Sequence, residues 1–197
     1  MRSSSQKPRT ENGGFTLIEV VVVVAVIALL AGLVVPTVVG VSDDAKASKI
    51  MAVYDATKKA CERYYTHTST TAREYSNSTR GNRHELSLTQ TTPNWSGPYL
   101  DHPLTTADNP FNGHILVYES FTQGGANAPG GFDLLGSGTN SATGNGQYIM
   151  FYNVPQETAK AVNDSLDSGI GGNWMATGRV EYIANRRRLN IFMLDTP

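Results

Sequence analysis

The sequence predicts an α+β protein: one long N-terminal α-helix, transmembrane in its first half and amphipathic in its second, packed on a small antiparallel β-sheet head. Three observations carry this. Val20 to Val41 holds no charged residue. Ile50, Val53, Tyr54, Thr57, Cys61, Tyr64 and Tyr65 then recur at spacings of three and four, which puts one apolar stripe on a helix. Beyond residue 113, short β-branched and aromatic runs stand between Gly and Asn, the pattern of strands.

Residues 1–14 carry Arg2, Lys7 and Arg9 against Glu11. Positive charge beside a first apolar segment holds that end in the cytoplasm, so the rest of the chain is expected outside. As a helix, Val20–Val41 would span about 33 Å, enough for the hydrocarbon core. A secretory signal peptide has a shorter apolar region with its cleavage site after it. Here the sharp chemical boundary, Gly14 to Phe15, comes before. Glu19 is stranded at the start of the apolar run. A carboxylate in hydrocarbon costs roughly 3 kcal/mol or more, so it is a functional hypothesis by default. Gly32, Pro36 and Gly40 interrupt the run. Proline removes a helix hydrogen bond and crowds the preceding turn, and glycine adds backbone freedom. These three are either the kinks of an ordinary membrane helix or points where the helix bends or melts.

After Val41 the pattern turns amphipathic without a break. Lys46, Lys49, Lys58, Lys59, Glu62 and Arg63 fall mostly off the apolar stripe, and the helix is expected to end near His67–Thr71. Continuous from Phe15 to about Thr68, it would be about 80 Å long. Residues 69–113 read as an irregular polar connection, with Arg73, Arg80 and Arg83 as a modest basic patch or simply a solvated loop. Strands are predicted at His114–Glu119 and Gln147–Tyr152. A short helix follows at Gln156–Ser168, with Pro155 at its start and Gly169 just past its end. Arg179–Ala184 and Leu189–Leu194 close the chain as a hairpin, with Arg186, Arg187 and Arg188 at or beside its turn, where they either invite an acidic partner or form a solvated turn. Sheet and exposed half-helix each have one apolar face and must cover each other.

A net charge of −1 gives no basic footprint for nucleic acid. Cys61 is the only cysteine, so no intramolecular disulfide forms, and a free cysteine is commonly buried. There is no G-x-S-x-G elbow and no P-loop. Gly169-Ile170-Gly171-Gly172-Asn173-Trp174 is a partial glycine fingerprint and reads as a loop. His67, His84, His102 and His114 are spaced too widely for a local metal motif. No catalytic residue and no enzymatic activity are expected.

Gly13-Gly14-Phe15-Thr16-Leu17-Ile18-Glu19-Val20, followed by the Val/Ala/Leu run, resembles the cleavage and methylation site of type IV pilins and type II secretion pseudopilins. The resemblance implies that prepilin peptidase cuts after Gly14 on the cytoplasmic face, leaving Phe15 as an N-methylated N-terminus and Glu19 as the acidic fifth mature residue. It also implies a leader at 1–14, a transmembrane or filament-core helix at 15–41, and a pilin-like head at 42–197. Pro36 matches a proline of such helices. The new amine of Phe15 is a cation for Glu19, within one helix or between neighbours. Burying a carboxylate requires such a partner.

Trp95-Ser96-Gly97-Pro98-Tyr99-Leu100 resembles a segment of major type II secretion pseudopilins. Asp108-Asn109-Pro110-Phe111-Asn112-Gly113 with Val117-Tyr118, and Gly131-Phe132-Asp133-Leu134 with Ser137-Gly138, are looser matches. The resemblance implies calcium in the loop after Phe132-Asp133-Leu134. Gly138–Gly146 offers Asn140 and Asn145 but no carboxylate, whereas calcium prefers several oxygens with negative charge. No cofactor is therefore expected, and Asp133, Asn140 and Asn145 are the only candidate calcium ligands. The chain after Tyr152 exceeds the compact pseudopilin head, and the disulfide loop of many type IV pilins has no cysteine pair. The implied function is a structural subunit of a type II secretion pseudopilus, polymerising with itself. Its implied partners are prepilin peptidase, the inner-membrane assembly platform and minor pseudopilins. It would start as a single-pass bacterial inner-membrane protein with a cytoplasmic N-terminus and a periplasmic head. The alternatives are a type IV pilin for adhesion, motility or DNA uptake, and a membrane-anchored binding module that never polymerises.

Overall fold

The computed structural model describes residues 15–77, 81–122 and 128–196; the side chains of 31–42 and 77 stay outside that description. The chain divides into two compact units, Met1–Val41 and Ser42–Pro197. Helix α1 (Leu17–Thr68) has residues in both. In the first unit the apolar side chains of Leu17 to Leu30 are exposed on every side of the helix. A helix that is apolar all round needs cover from lipid or other protein. Among the described residues no helix is long and apolar enough to cross a membrane. The expected span Val20–Val41 has its second half among the side chains that are not described. The backbone is helical through Gly32, Pro36 and Gly40.

The second unit holds a six-stranded antiparallel sheet. Its strands are β1 (Glu74–Asn77), β2 (Gly81–His84), β3 (Ile115–Ser120), β4 (Asn145–Phe151), β5 (Val180–Ile183) and β6 (Arg188–Asp195). Their spatial order is β2-β1-β3-β4-β6-β5, so the last strand lies inside the sheet. Strand side chains alternate between faces. Ile115 and Val117, Ile149 and Phe151, Leu189 and Ile191, and Val180 and Tyr182 pack with Ile50, Tyr54, Cys61 and Tyr64 of α1. The predicted stripe is thus the helix face that meets the sheet. Cys61 is fully buried, and burial pushes its thiol up.

The expectation of a single apolar face on the sheet is corrected here, because the opposite face is covered as well. Leu116, Tyr118, Tyr148 and Met150 pack under Phe121, Phe132 and Ala142, which come from connecting segments. Phe121 and Phe132 meet edge-on at 5.4 Å between ring centres. The sequence signal for this second layer is the unbroken apolar character of β3 and β4, since strands covered on both faces lose their polar alternation. Helix α2 (Gln156–Leu166) buries Thr158, Ala159, Val162 and Asn163. The outer edge of β5 is closed: Val180 N–H donates to Asp167 Oδ2 at 2.9 Å, and Tyr182 N–H to the Met175 carbonyl at 2.9 Å.

Two further expectations need correction. The stretch 69–113 is not wholly irregular, because β1 and β2 form a hairpin within it, with Glu74 opposite His84. Glu74 is fully buried. A strand whose inward residue is an acid has no apolar period to read. The three arginines at the last turn are also not all solvated. Arg186 and Arg187 are exposed, but Arg188 is buried, with its guanidinium 4.7 Å from the centre of the Tyr152 ring.

Candidate functional site

Thr16 precedes the first helical residue of α1 and acts as its N-cap. Its backbone N–H donates to Glu19 Oε2 at 2.8 Å, and its hydroxyl donates to the same oxygen at 2.9 Å. The Glu19 N–H lies 3.3 Å from Thr16 Oγ1. This is a capping box, in which a Thr and an acid three residues on each satisfy the other's backbone donor. The T-x-x-E spacing signals it in the sequence, whereas the charge of Glu19 and the prepilin resemblance single out Glu19 without Thr16. The box gives Glu19 a local job beside the expected one. It also leaves the carboxylate next to Phe15, whose side chain is 89% exposed. A helix N-terminus carries partial positive charge, which favours an acid there. Gly14, the expected cleavage point, lies outside the described residues.

The three looser motif segments all lock loops of the second unit. Tyr99 packs edge-on against Tyr64 of α1 at 5.6 Å and against Trp95 at 6.0 Å. The Tyr99 and Ser96 hydroxyls both stand 2.9 Å from His67 Nδ1. A Cβ on Gly97 would meet the Trp95 ring at 2.6 Å and the Tyr99 ring at 2.8 Å, so the motif needs glycine there. Asn109 Nδ2 donates to the Tyr152 carbonyl at 2.9 Å, tying that loop to the end of β4.

Asp133 closes the third segment. Its Oδ1 accepts from Ser137 N at 3.0 Å and from Ser137 Oγ at 3.2 Å, and its Oδ2 accepts from Gly138 N at 2.7 Å. Desolvation works against ionisation, but these hydrogen bonds outweigh it and hold the carboxyl below its ordinary value. Asp133 and Asn140 line one cavity with Glu181. Asn145 is not part of that lining and starts β4 opposite Ser120. The cavity is a poor match for calcium as the loop stands: Asp133 has both oxygens engaged by Ser137 and Gly138, and burial pushes the Glu181 carboxyl up to about 8. Among the described residues no three His, Cys, Asp or Glu side chains group as metal ligands.

Glu181 makes stability depend on pH. Its ordinary value is 4.5 and its folded value about 8. Between these the folded protein keeps a proton that the unfolded chain has lost, so stability falls as pH rises through that window. Below it the two states bind equally. Glu181→Gln is expected to be more stable than the parent by ~1–3 kcal/mol at pH 8 and nearly equal to it at pH 4.5. Urea midpoints at the two pH values measure this. The same difference at both would sink the burial account.

The chain matches the prokaryotic N-terminal methylation motif over residues 9–35. This is the prepilin-type signal of type IV pilins and pseudopilins. No curated protein matches the chain, and no solved structure does. The matched signal supports a type IV pilin-like or pseudopilin protein. The motif marks structural subunits rather than enzymes, and it implies processing by prepilin peptidase followed by pilin-like assembly.

Proposed function

We propose that the chain is a structural subunit of a type II secretion pseudopilus, cut after Gly14 and assembled into a helical filament that serves protein export. The observation that carries the filament reading is the prepilin-type signal at 9–35, joined to a helix whose described apolar residues have no cover within the chain. The Trp95–Leu100 segment, packed on the end of α1, favours the pseudopilus within that class. Before assembly the apolar helix sits in the bacterial inner membrane, with the leader cytoplasmic and the head periplasmic. The assembly platform and minor pseudopilins then draw it into the filament. Gly32, Pro36 and Gly40 let the helix bend as it leaves the bilayer. The α2–β5–β6 extension favours the second reading, a type IV pilus, because it enlarges the head beyond the compact pseudopilin form.

Mass spectrometry of the mature protein tests processing. The expected N-terminal peptide begins at Phe15, with a methylated amine and no leader. An intact leader in the mature protein would overturn both filament readings in favour of an uncut anchor carrying a binding head. Electron microscopy separates the two filament readings: short periplasmic filaments fit the pseudopilus, and long surface filaments fit the pilus.

A further inference from the structure

Asn190 of β6 is fully buried, and neither its Oδ1 nor its Nδ2 has a hydrogen-bond partner within the protein. Buried polar groups are normally paired, so an amide with both ends open calls for an explanation. Leu189 and Ile191 pack toward α1, so the alternation of strand side chains turns Asn190 to the outer face of the sheet. Directly across the ladder stands Glu181 of β5. Residues opposed in this way share a face, with Cβ atoms about 4.5–5.5 Å apart. Burial alone acts on the Glu181 carboxyl, and it favours the protonated form.

Glu181 lines a cavity of about 560 Å³, inside the roughly 300–1,000 Å³ of small-molecule sites. Asn140 and Asn173 line it too. Asn173 Oδ1 accepts from Met175 N at 3.2 Å, which leaves the amide N–H₂ as a donor. The two loops that wall the cavity are held together. Gly178 N donates to the Asp133 carbonyl at 2.8 Å, and a Cβ on Gly136 would meet the Gly171 carbonyl oxygen at 2.7 Å. A site formed before its ligand arrives loses little freedom on binding.

The lining selects its ligand by elimination. An anion would face the Asp133 carboxylate. A metal cation would find that carboxylate already taken by Ser137 and Gly138 and Glu181 favouring its proton. An apolar ligand would leave the Asn190 amide unpaired. A hydroxyl group donates and accepts at once, as do an amide and a carboxylic acid. Adjacent hydroxyls on one ring therefore match Glu181, Asn190, Asn173 and Asn140 together. We propose that this cavity binds a neutral polyhydroxylated ligand, a saccharide unit, with the Asn190 amide and the Glu181 carboxyl at its floor.

The test uses the full chain in micelles of a detergent without a sugar headgroup. Glucose, galactose and N-acetylglucosamine are titrated in turn, and calcium chloride separately, while NMR follows the asparagine side-chain amides. At least one sugar is expected to saturate with a Kd of about 1–10 mM, moving the amide signals of Asn140, Asn173 and Asn190. Asn190→Leu exchanges an unpaired buried amide for an apolar group of similar shape, which is near neutral for folding, and is expected to weaken binding about tenfold. Asn173→Ala, at an exposed position, is expected to weaken it about threefold and keeps the test decisive if Asn190→Leu does not fold. Glu181→Gln retains a donor and an acceptor and is expected to bind like the parent. Three outcomes would overturn the proposal: no saturation by any of these sugars, undiminished binding in the asparagine variants, or calcium moving these amides while the sugars do not. Filament assembly plays no part in the readout, so none of these results touches the filament reading.

Discussion

Glu19→Ala is expected to insert and fold its head normally but to give about a tenth or less of the wild-type filament yield, the tenfold loss matching ~1.4 kcal/mol per contact. Two physical roles meet at this carboxylate. In the capping box it accepts from Thr16 N at 2.8 Å, and loss of a cap costs about 0.5–2 kcal/mol. On the filament reading proposed above, it would be a buried anion that needs a cation, and the proposed cut after Gly14 would supply one in the amine of Phe15. Glu19→Gln separates the two roles. A glutamine keeps a capping oxygen, since the box accepts Glu or Gln, but carries no charge. If pairing with the amine dominates, Gln and Ala fail alike. If the cap dominates, Gln assembles near the wild-type level and Thr16→Ala fails in its place. We expect the first pattern, because an uncompensated amine in an apolar bundle costs more than a cap. Equal yields from wild-type, Gln and Ala variants, counted by electron microscopy, would remove Glu19 from assembly altogether.

The parts of the fold that could be read in the sequence are those whose burial is apolar. The stripe from Ile50 to Tyr64 gives the inward face of α1, and ILVY and YIMF give the central strands. The same runs do not alternate with polar residues, which is the mark of strands covered on both faces, although the sequence reading assigns the sheet one apolar face. What supplies the second covering layer, Phe121 and Phe132, are isolated aromatics in glycine-rich connections with no period at all. The hairpin of β1 and β2 was hidden for a different reason. Its inward residue is Glu74, and its strands, EYSN and GNRH, resemble loop composition. At the start of α1 the charge of Glu19 against its apolar surroundings is plain in the sequence. The role of Thr16 is not, because a hydroxyl before an apolar run raises no question until its partner is placed. Arg188 has the same history, a third arginine at a turn whose aromatic contact only the fold supplies.

Glu74 should be among the most sensitive positions of the head. It is fully buried, and Oε1 accepts from His84 Nδ1 at 2.8 Å and Ser87 Oγ at 2.9 Å, while Oε2 accepts from Leu86 N at 3.0 Å. One carboxylate thus gathers the end of β2 and the turn after it onto the start of β1. Beside it, Arg73 pairs with Glu85 at 3.2 Å and Glu119 at 3.5 Å, and Gln147 Nε2 donates to the Ala72 carbonyl at 2.6 Å. Glu74→Ala would leave the His84, Ser87 and Leu86 donors facing a dry void. Breaking a buried charged cluster by removing one partner costs about 3–5 kcal/mol, a large share of the 5–15 kcal/mol that typically stabilises a domain. Glu74→Gln keeps an acceptor but turns an amide N–H₂ toward one of those donors, and is expected to cost about 1–3 kcal/mol, the range for a buried unsatisfied group. Trp95 and Trp174 both lie in the head, so urea unfolding followed by tryptophan fluorescence reads the loss directly. A shift of under about 0.5 kcal/mol for Glu74→Ala, the range of ordinary surface changes, would mean that the hairpin is held by something other than this carboxylate. In the expected case the edge of the sheet unravels first, and assembly falls with it even though the N-terminal signal is intact.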